Sequence, residues 1–342
     1  MADHLLEVRN LRVSFRTEDG VVKAVDGVSF TLDPGEVLGI VGESGSGKSV
    51  SMMSVMRLIN DPNAVFEGQV LYKGRDLMQL SQSDMTQVRG REIAMIFQDP
   101  MTSLNPVYNV GWQIAEQIRA HEDVSQQAAR NRAAELLGAV GIPRPRERVD
   151  DYPHRFSGGM RQRVMIAMAL SNNPDLLIAD EPTTALDVTI QAQILELIQR
   201  LKTDFGSAVI LITHDMGVVA DAVDRLAVMY AGRVVEQGEK RAVFYDAQHP
   251  YTWGLLGSIP RLDRPKPRRL TAIQGAPPSL IRLPKGCAFA PRCPQRFGRC
   301  ADDPELLDRL GNGHLDRCWL TPEQKAERRE AAIHPELVEE KA

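Results

Sequence analysis

Val37-Leu-Gly-Ile-Val-Gly-Glu-Ser-Gly-Ser-Gly-Lys-Ser-Val50 joins an apolar run to a helix-compatible one through a Gly- and Ser-rich turn. Its first five residues fit a buried strand, and the residues from Val50 to Leu58 fit a helix. Between them Gly42, Glu43, Ser44, Gly45, Ser46, Gly47, Lys48 and Ser49 match the pattern G-x-x-x-x-G-K-S/T in the strand-to-helix context that the pattern requires. The glycines let backbone N–H groups close around a β-phosphate at a helix N-terminus. Lys48 adds a point charge there, and Ser49 offers an oxygen to Mg²⁺.

Working outward, Asp175-Leu-Leu-Ile-Ala-Asp-Glu-Pro182 is a second apolar run, closed by two adjacent carboxylates. Ligands of open α/β sheets bind at the carboxyl ends of strands. Asp180 suits a Mg²⁺ site, and Glu181, facing differently, suits a water that attacks a γ-phosphate. Ala208 to Thr213 reads as a third buried strand, whereas Leu6 to Phe15 and Val21 to Leu32 alternate as an antiparallel sheet does. Residues 107–140 fit helices with Ile114, Ile118, Leu136 and Leu137 inward. The fold class expected is α/β: a P-loop NTPase core with an antiparallel β-subdomain and an α-helical subdomain at about residues 100–165.

Phe156-Ser-Gly-Gly-Met-Arg-Gln-Arg163 narrows this further. Ser157 and the backbone of Gly158 and Gly159 precede a helical run and read as a second anion-binding helix N-terminus. Here the chain resembles the ATP-binding cassette family, whose L-S-G-G-Q signature reaches across a head-to-tail dimer to the γ-phosphate on the other subunit. Phe156 and Met160 depart from that pattern, while the Ser-Gly-Gly centre is intact. The resemblance implies ATP hydrolysis and further roles. Gln98 would touch Mg²⁺ and water, and Ala185-Leu-Asp187 would form a loop at the dimer interface. His214 would contact the γ-phosphate and keep Glu181 and the water in place, with the Phe15 ring under adenine. Ser49, Gln98 and Asp180 would then hold Mg²⁺.

Phe97 to Pro106, Tyr152-Pro-His154 and His249-Pro-Tyr-Thr252 are similar to the dipeptide/oligopeptide/nickel branch of importers, dipeptide-permease ATPases above all. That branch implies a second ATPase subunit, two transmembrane permease subunits and an extracytoplasmic solute-binding protein, with this chain peripheral on the cytoplasmic face of the inner membrane. Dipeptides or oligopeptides are the implied cargo; nickel, glutathione or another small solute remain alternatives.

The 342 residues carry a net charge of −4 and are 43% hydrophobic, an ordinary globular composition. No run reaches the length of a membrane helix, and Met-Ala-Asp-His lacks a signal-peptide pattern, so a cytosolic protein is expected. Residues 261–300 hold ten basic residues against one acid, and residues 301–342 hold six against eleven. With the Pro-rich stretch from Pro260 to Pro284, this places a boundary near residue 260 between an ATP-binding domain (1–260) and an extension (261–342). A soluble cassette acting on nucleic acid through that basic tail is the competing class. It is disfavoured by the single cassette and the importer motifs, so no nucleic-acid partner is expected.

All four cysteines lie in the extension, as Cys287, Cys293, Cys300 and Cys318. The spacing is unlike zinc knuckles, and four thiolates suffice for one [4Fe–4S] cluster. The resembled branch has a similar tail and implies such a cluster, with zinc or free thiols as alternatives. Arg292, Arg296 and Arg299, among the cysteines, are candidates to offset its charge.

Overall fold

The computed structural model describes residues 4–99, 103–184, 186–259 and 273–333. Residues 100–102 of the Phe97 motif, Ala185, and Pro260 to Ala272 of the Pro-rich stretch lie outside them. The described strands, in chain order, are β1 (Leu6–Thr17), β2 (Gly20–Leu32), β3 (Val37–Val41), β4 (Ala64–Tyr72), β5 (Arg75–Asp76), β6 (Ile93–Ile96), β7 (Leu176–Asp180), β8 (Ala208–Thr213), β9 (Arg225–Tyr230), β10 (Arg233–Glu239), β11 (Leu307–Asp308) and β12 (Leu315–Asp316). They fall into two compact units. One comprises Leu6–Thr31, Leu38–Arg75 and the chain from Thr213 on; the other is mainly Asp76–Ile212.

In the first unit the antiparallel sheet has the order β2-β1-β4. Along β1 the buried residues switch from even (Leu6, Val8) to odd (Leu11, Val13) positions. The switch keeps all four on one face because the register slips between Arg9 and Arg12, where Asn10 takes φ 48° opposite Gly68. A bulge of this kind is the standard way to reverse side-chain parity within a strand. A Cβ on Gly68 would lie 2.5 Å from the Asn10 carbonyl oxygen, so the partner strand needs glycine there.

The same unit contains the order β11-β12-β10-β9-β3. β3 pairs parallel with β9, and β10 pairs antiparallel with β9 and with β12. The extension is therefore stitched into this unit by its own strand, Glu236 facing Asp316 in register. Its first described residues add a backbone bond from Lys23 N–H to the Leu280 carbonyl at 3.1 Å. Buried polar groups fix the join. The Glu236 carboxylate accepts the N–H groups of Gln248 (2.6 Å) and His249 (3.0 Å) and shares a 2.7 Å hydrogen bond with His314 Nε2. Full burial holds the His249 imidazole neutral, with its pKa pushed down to about 3. Asp26, largely buried, takes ion pairs from Arg12 and Arg233, and Arg233 reaches on to Asp303 of the extension at 2.5 Å.

In the second unit β6, β7 and β8 run parallel, Ile178 standing in register with Met95 on one side and Ile210 on the other. All five residues of β7 are buried, which is why the sequence reads as an unbroken apolar run. β6 ends at Ile96, and Phe97 just beyond it is 42% exposed. Helices Val110–Arg119, Gln126–Ala139, Pro145–Arg148 and Gly158–Ala169 occupy the region expected to be helical, with Ile114, Ile118, Leu136 and Leu137 buried. Among the described residues no helix is long and apolar enough to cross a membrane.

Candidate active site

The phosphate loop leaves the buried strand β3 and enters the helix Lys48–Val55, two residues earlier than its hydrophobic pattern suggests. Its glycines are dictated by space. A Cβ on Gly42 would come within 2.2 Å of the Met229 carbonyl oxygen, and one on Gly47 within 2.4 Å of the Ala24 oxygen. Both residues also have positive φ, 155° and 98°. Gly45 and Ser44, by contrast, are exposed at the loop's outer edge. Ser46 Oγ is buried without a hydrogen-bond partner, and its hydroxyl is therefore an orphan in the loop. Lys48 Nζ, 4% exposed, donates to the carbonyls of Gly42 (2.7 Å) and Glu43 (3.0 Å). Ser49 follows in the first turn of the helix, half-buried. The loop has the parts that grip an anion: a helix N-terminus, backbone amides and a cation.

Glu43 is tied through both its backbone and its side chain. Its N–H donates to Tyr251 Oη at 2.8 Å, and its carbonyl also accepts Ser46 N–H at 3.2 Å. Its carboxylate takes two bonds from Arg292, Nη1 to Oε2 at 2.6 Å and Nη2 to Oε1 at 2.9 Å. Neither Tyr251 nor Arg292 is assigned to the nucleotide by the sequence. The motif His249-Pro-Tyr-Thr252 is the signal that points to Tyr251. There His249 Nδ1 caps the helix Pro250–Gly257 by accepting Tyr251 N–H at 3.1 Å, which orients the tyrosine. Phe15 lies half-buried near the end of β1, in register with Ala64. His214 is exposed just after β8.

The second unit holds the carboxylates. Asp180, buried, ends β7, and Glu181 follows with φ 46°. A left-handed glutamate is strained, and such strain is held only where neighbours impose it. Here the Glu181 N–H is fixed on the Ile212 carbonyl at 2.9 Å. Glu181 Oε2 accepts Gln98 Nε2 at 3.0 Å and Thr184 Oγ1 at 2.8 Å. Gln98 and Glu181, 83 positions apart, are thus brought into contact; Thr184 is a partner the sequence reading does not name. The hydroxyl of Ser49 and the carboxylate of Asp180 are the oxygen donors that Mg²⁺ prefers.

Ser157 caps the helix Gly158–Ala169 in the same unit, Oγ accepting Met160 N–H at 3.4 Å, and Gly158 is exposed beside it. Gly159 packs closely on Ile190, a Cβ there falling 2.9 Å from Ile190 Cγ2. Asp187 caps the helix Val188–Phe205 through a 3.0 Å bond from Ile190 N–H.

The four cysteines line one small pocket with Phe289, Trp319 and Leu320. Burial, then the neighbouring thiols, push the Cys293 thiol up to about 12, and burial pushes Cys318 up to about 11. Even so, among the described residues no group of three or more His, Cys, Asp or Glu side chains could hold a metal ion. The expected iron–sulfur cluster and its zinc alternative therefore have no metal site behind them in this structure. The expected role for Arg292 is also revised. Its charge is committed to Glu43, while Arg299 stacks over Trp319 at 4.0 Å.

Comparison with known proteins gives a family model described as "ABC transporter" over residues 25–184 and one described as "Oligopeptide/dipeptide transporter, C-terminal region" over residues 235–300. An oligopeptide transport ATP-binding protein of Bacillus subtilis is 55% identical over 92% of this chain and 88% of its own length. A dipeptide transport ATP-binding protein of the same organism is 53% identical over 95% and 97%. Among solved structures, a dimeric ATP-binding cassette in a post-hydrolysis state with ADP and Pi matches with a TM-score of 0.62 at 27% identity. It covers 69% of this chain and 99% of the other.

Proposed function

The chain belongs to the ABC transporter family, and on that premise we propose that it is the ATP-hydrolysing subunit of an importer for dipeptides or oligopeptides. The observation that carries the catalytic half is the left-handed Glu181 held by Gln98 and Thr184 at the end of β7. The likeness of residues 235–300 to the peptide-transporter C-terminal region supports the cargo.

In this reading Lys48 and the loop from Gly42 to Ser49 bind the ATP phosphates, with Phe15 under adenine. Ser49, Gln98 and Asp180 would hold Mg²⁺, which would supply charge neutralisation on the phosphate oxygens. Glu181 accepts a proton from the attacking water, and His214 positions that water. Ser157, Gly158, Gly159, Met160 and Asp187 serve the site of a second, similar ATPase subunit. The functional division falls near residue 260, with the extension serving the phosphate loop rather than forming an independent core.

The remaining partners are two permease subunits, with a solute-binding protein outside, and the chain lies peripherally on the cytoplasmic face of the membrane. Val107, Tyr108 and Trp112, 69%, 43% and 40% exposed, support a surface made to be covered by protein. Membranes carrying the permease subunits are expected to retain the protein through washing, and membranes without them to lose it. Co-purification with nucleic acid instead, with no response to the permease, would overturn the transport reading.

For the extension we propose a [4Fe–4S] cluster on the four cysteines, which would have to draw their side chains together, since as they stand no such group could hold a metal ion. What supports it is that all four thiols line one pocket. Anaerobic purification is expected to give a brown protein with about four iron atoms per chain. A colourless protein carrying one zinc, or no metal, removes the cluster.

A further inference from the structure

We propose that Arg292 is a positioning residue of the phosphate loop, through which the cysteine-bearing extension sets the affinity for the nucleotide's phosphates. The inference rests on ATP binding at that loop.

Arg292 lies 249 positions from Glu43, and its side chain is 5% exposed against 29% for the glutamate. Its guanidinium is held from behind: Nε donates to the Gln274 carbonyl at 3.0 Å and Nη2 to Ile273 O at 3.3 Å. Nη1 also reaches Tyr230 Oη at 3.4 Å. The fork therefore meets Glu43 with a fixed orientation, in the bidentate geometry that makes Arg–carboxylate pairs strong. Glu43 is a sensitive place to pull. Its carbonyl is one of two that hold Lys48 Nζ, and its N–H is fixed by Tyr251, so side chain and backbone are clamped by two residues from beyond residue 250.

Charge gives a second reason. An unpaired carboxylate in a phosphate loop repels a triphosphate across a few ångströms, and a buried guanidinium cancels that repulsion better than an exposed cation. Arg292 also directly precedes Cys293, which lines the four-cysteine pocket. The backbone that carries the thiol carries the clamp.

The test is MgATP affinity by equilibrium dialysis on the full chain. R292A is expected to raise Kd about tenfold, which corresponds to about 1.4 kcal/mol. R292K, which keeps the charge without the fork, should fall between R292A and wild type. E43Q, which removes the carboxylate that the fork grips, should also weaken binding, and E43Q/R292A should be no weaker than the weaker of the two single variants, because both act through one contact. That non-additivity separates the Glu43–Arg292 contact from a general loosening of the extension, whose effect would add to that of E43Q. If R292A does not fold, R292Q, which keeps an amide donor for the Gln274 carbonyl, takes its place with the same expected rise. Wild-type affinity in R292A, or effects of E43Q and R292A that simply add in the double variant, overturns the inference. K48A is run alongside. A wild-type chain that binds MgATP no better than K48A overturns the proposed function itself, whereas a binding wild type with an unaffected R292A sinks only the role of Arg292.

Discussion

Replacing Glu181 by glutamine is expected to leave MgATP binding intact and to slow hydrolysis by about 10²- to 10⁴-fold, the range for loss of a positioned base. Geometry makes the substitution clean. Oε2 receives hydrogen bonds from Gln98 Nε2 and Thr184 Oγ1, and a glutamine carbonyl oxygen accepts both. The left-handed backbone is fixed by the Glu181 N–H on the Ile212 carbonyl, a bond indifferent to the side chain. What E181Q removes is the negative charge and the capacity to take a proton. Single-turnover hydrolysis in the assembled transporter, beside an equilibrium measurement of binding, separates the two effects. Turnover close to wild type would take Glu181 out of the chemistry and leave its strain without a catalytic account.

Lys325→Ala should cost about 3 to 5 kcal/mol of stability, the usual consequence of leaving one half of a buried ion pair uncompensated. Lys325 and Asp316 are 0% and 2% exposed, with Nζ 2.7 Å from Oδ1. The carboxylate keeps the Cys318 N–H at 2.9 Å and Arg309 at 3.3 Å, so the loss belongs toward the lower end of that range. Burial pushes the Asp316 carboxyl up, and Lys325 is the group that pulls it back most strongly. Asp316 is also the β12 residue in register with Glu236 of β10, and Lys325 lies on the last described helix, Pro322–Ile333. The pair thus ties the end of the chain to the sheet. Urea unfolding of the full chain reads the effect; a loss below about 1 kcal/mol would show that Arg309 and the Cys318 amide suffice. Replacing both members by apolar residues of similar size should cost much less than K325A.

Much of this molecule was legible before any coordinates. The phosphate loop, the apolar strands β3, β7 and β8, and the helical region with its four inward residues fall where periodicity and motif spacing put them. Phe97 is apolar yet exposed beyond β6. The Asn10 bulge is invisible to a two-residue alternation, since parity changes only where the partner strand supplies a glycine to approach. Arg292 was legible as a charge near the cysteines but not as the partner of Glu43.

The sequence alone determined the chemistry of the chain: a phosphate-binding turn, paired carboxylates after a buried strand, and four thiols in a basic, Pro-rich tail. Each is written in contiguous residues, and local backbone preference, together with the period of burial, suffices to read it. Which side chains meet is set by the folded chain. Gln98 reaches Glu181, Lys325 neutralises Asp316, and Arg292 takes hold of Glu43 across 249 positions. Such pairings depend on where closed loops and strand registers deliver side chains, a long-range outcome of packing that no local pattern encodes.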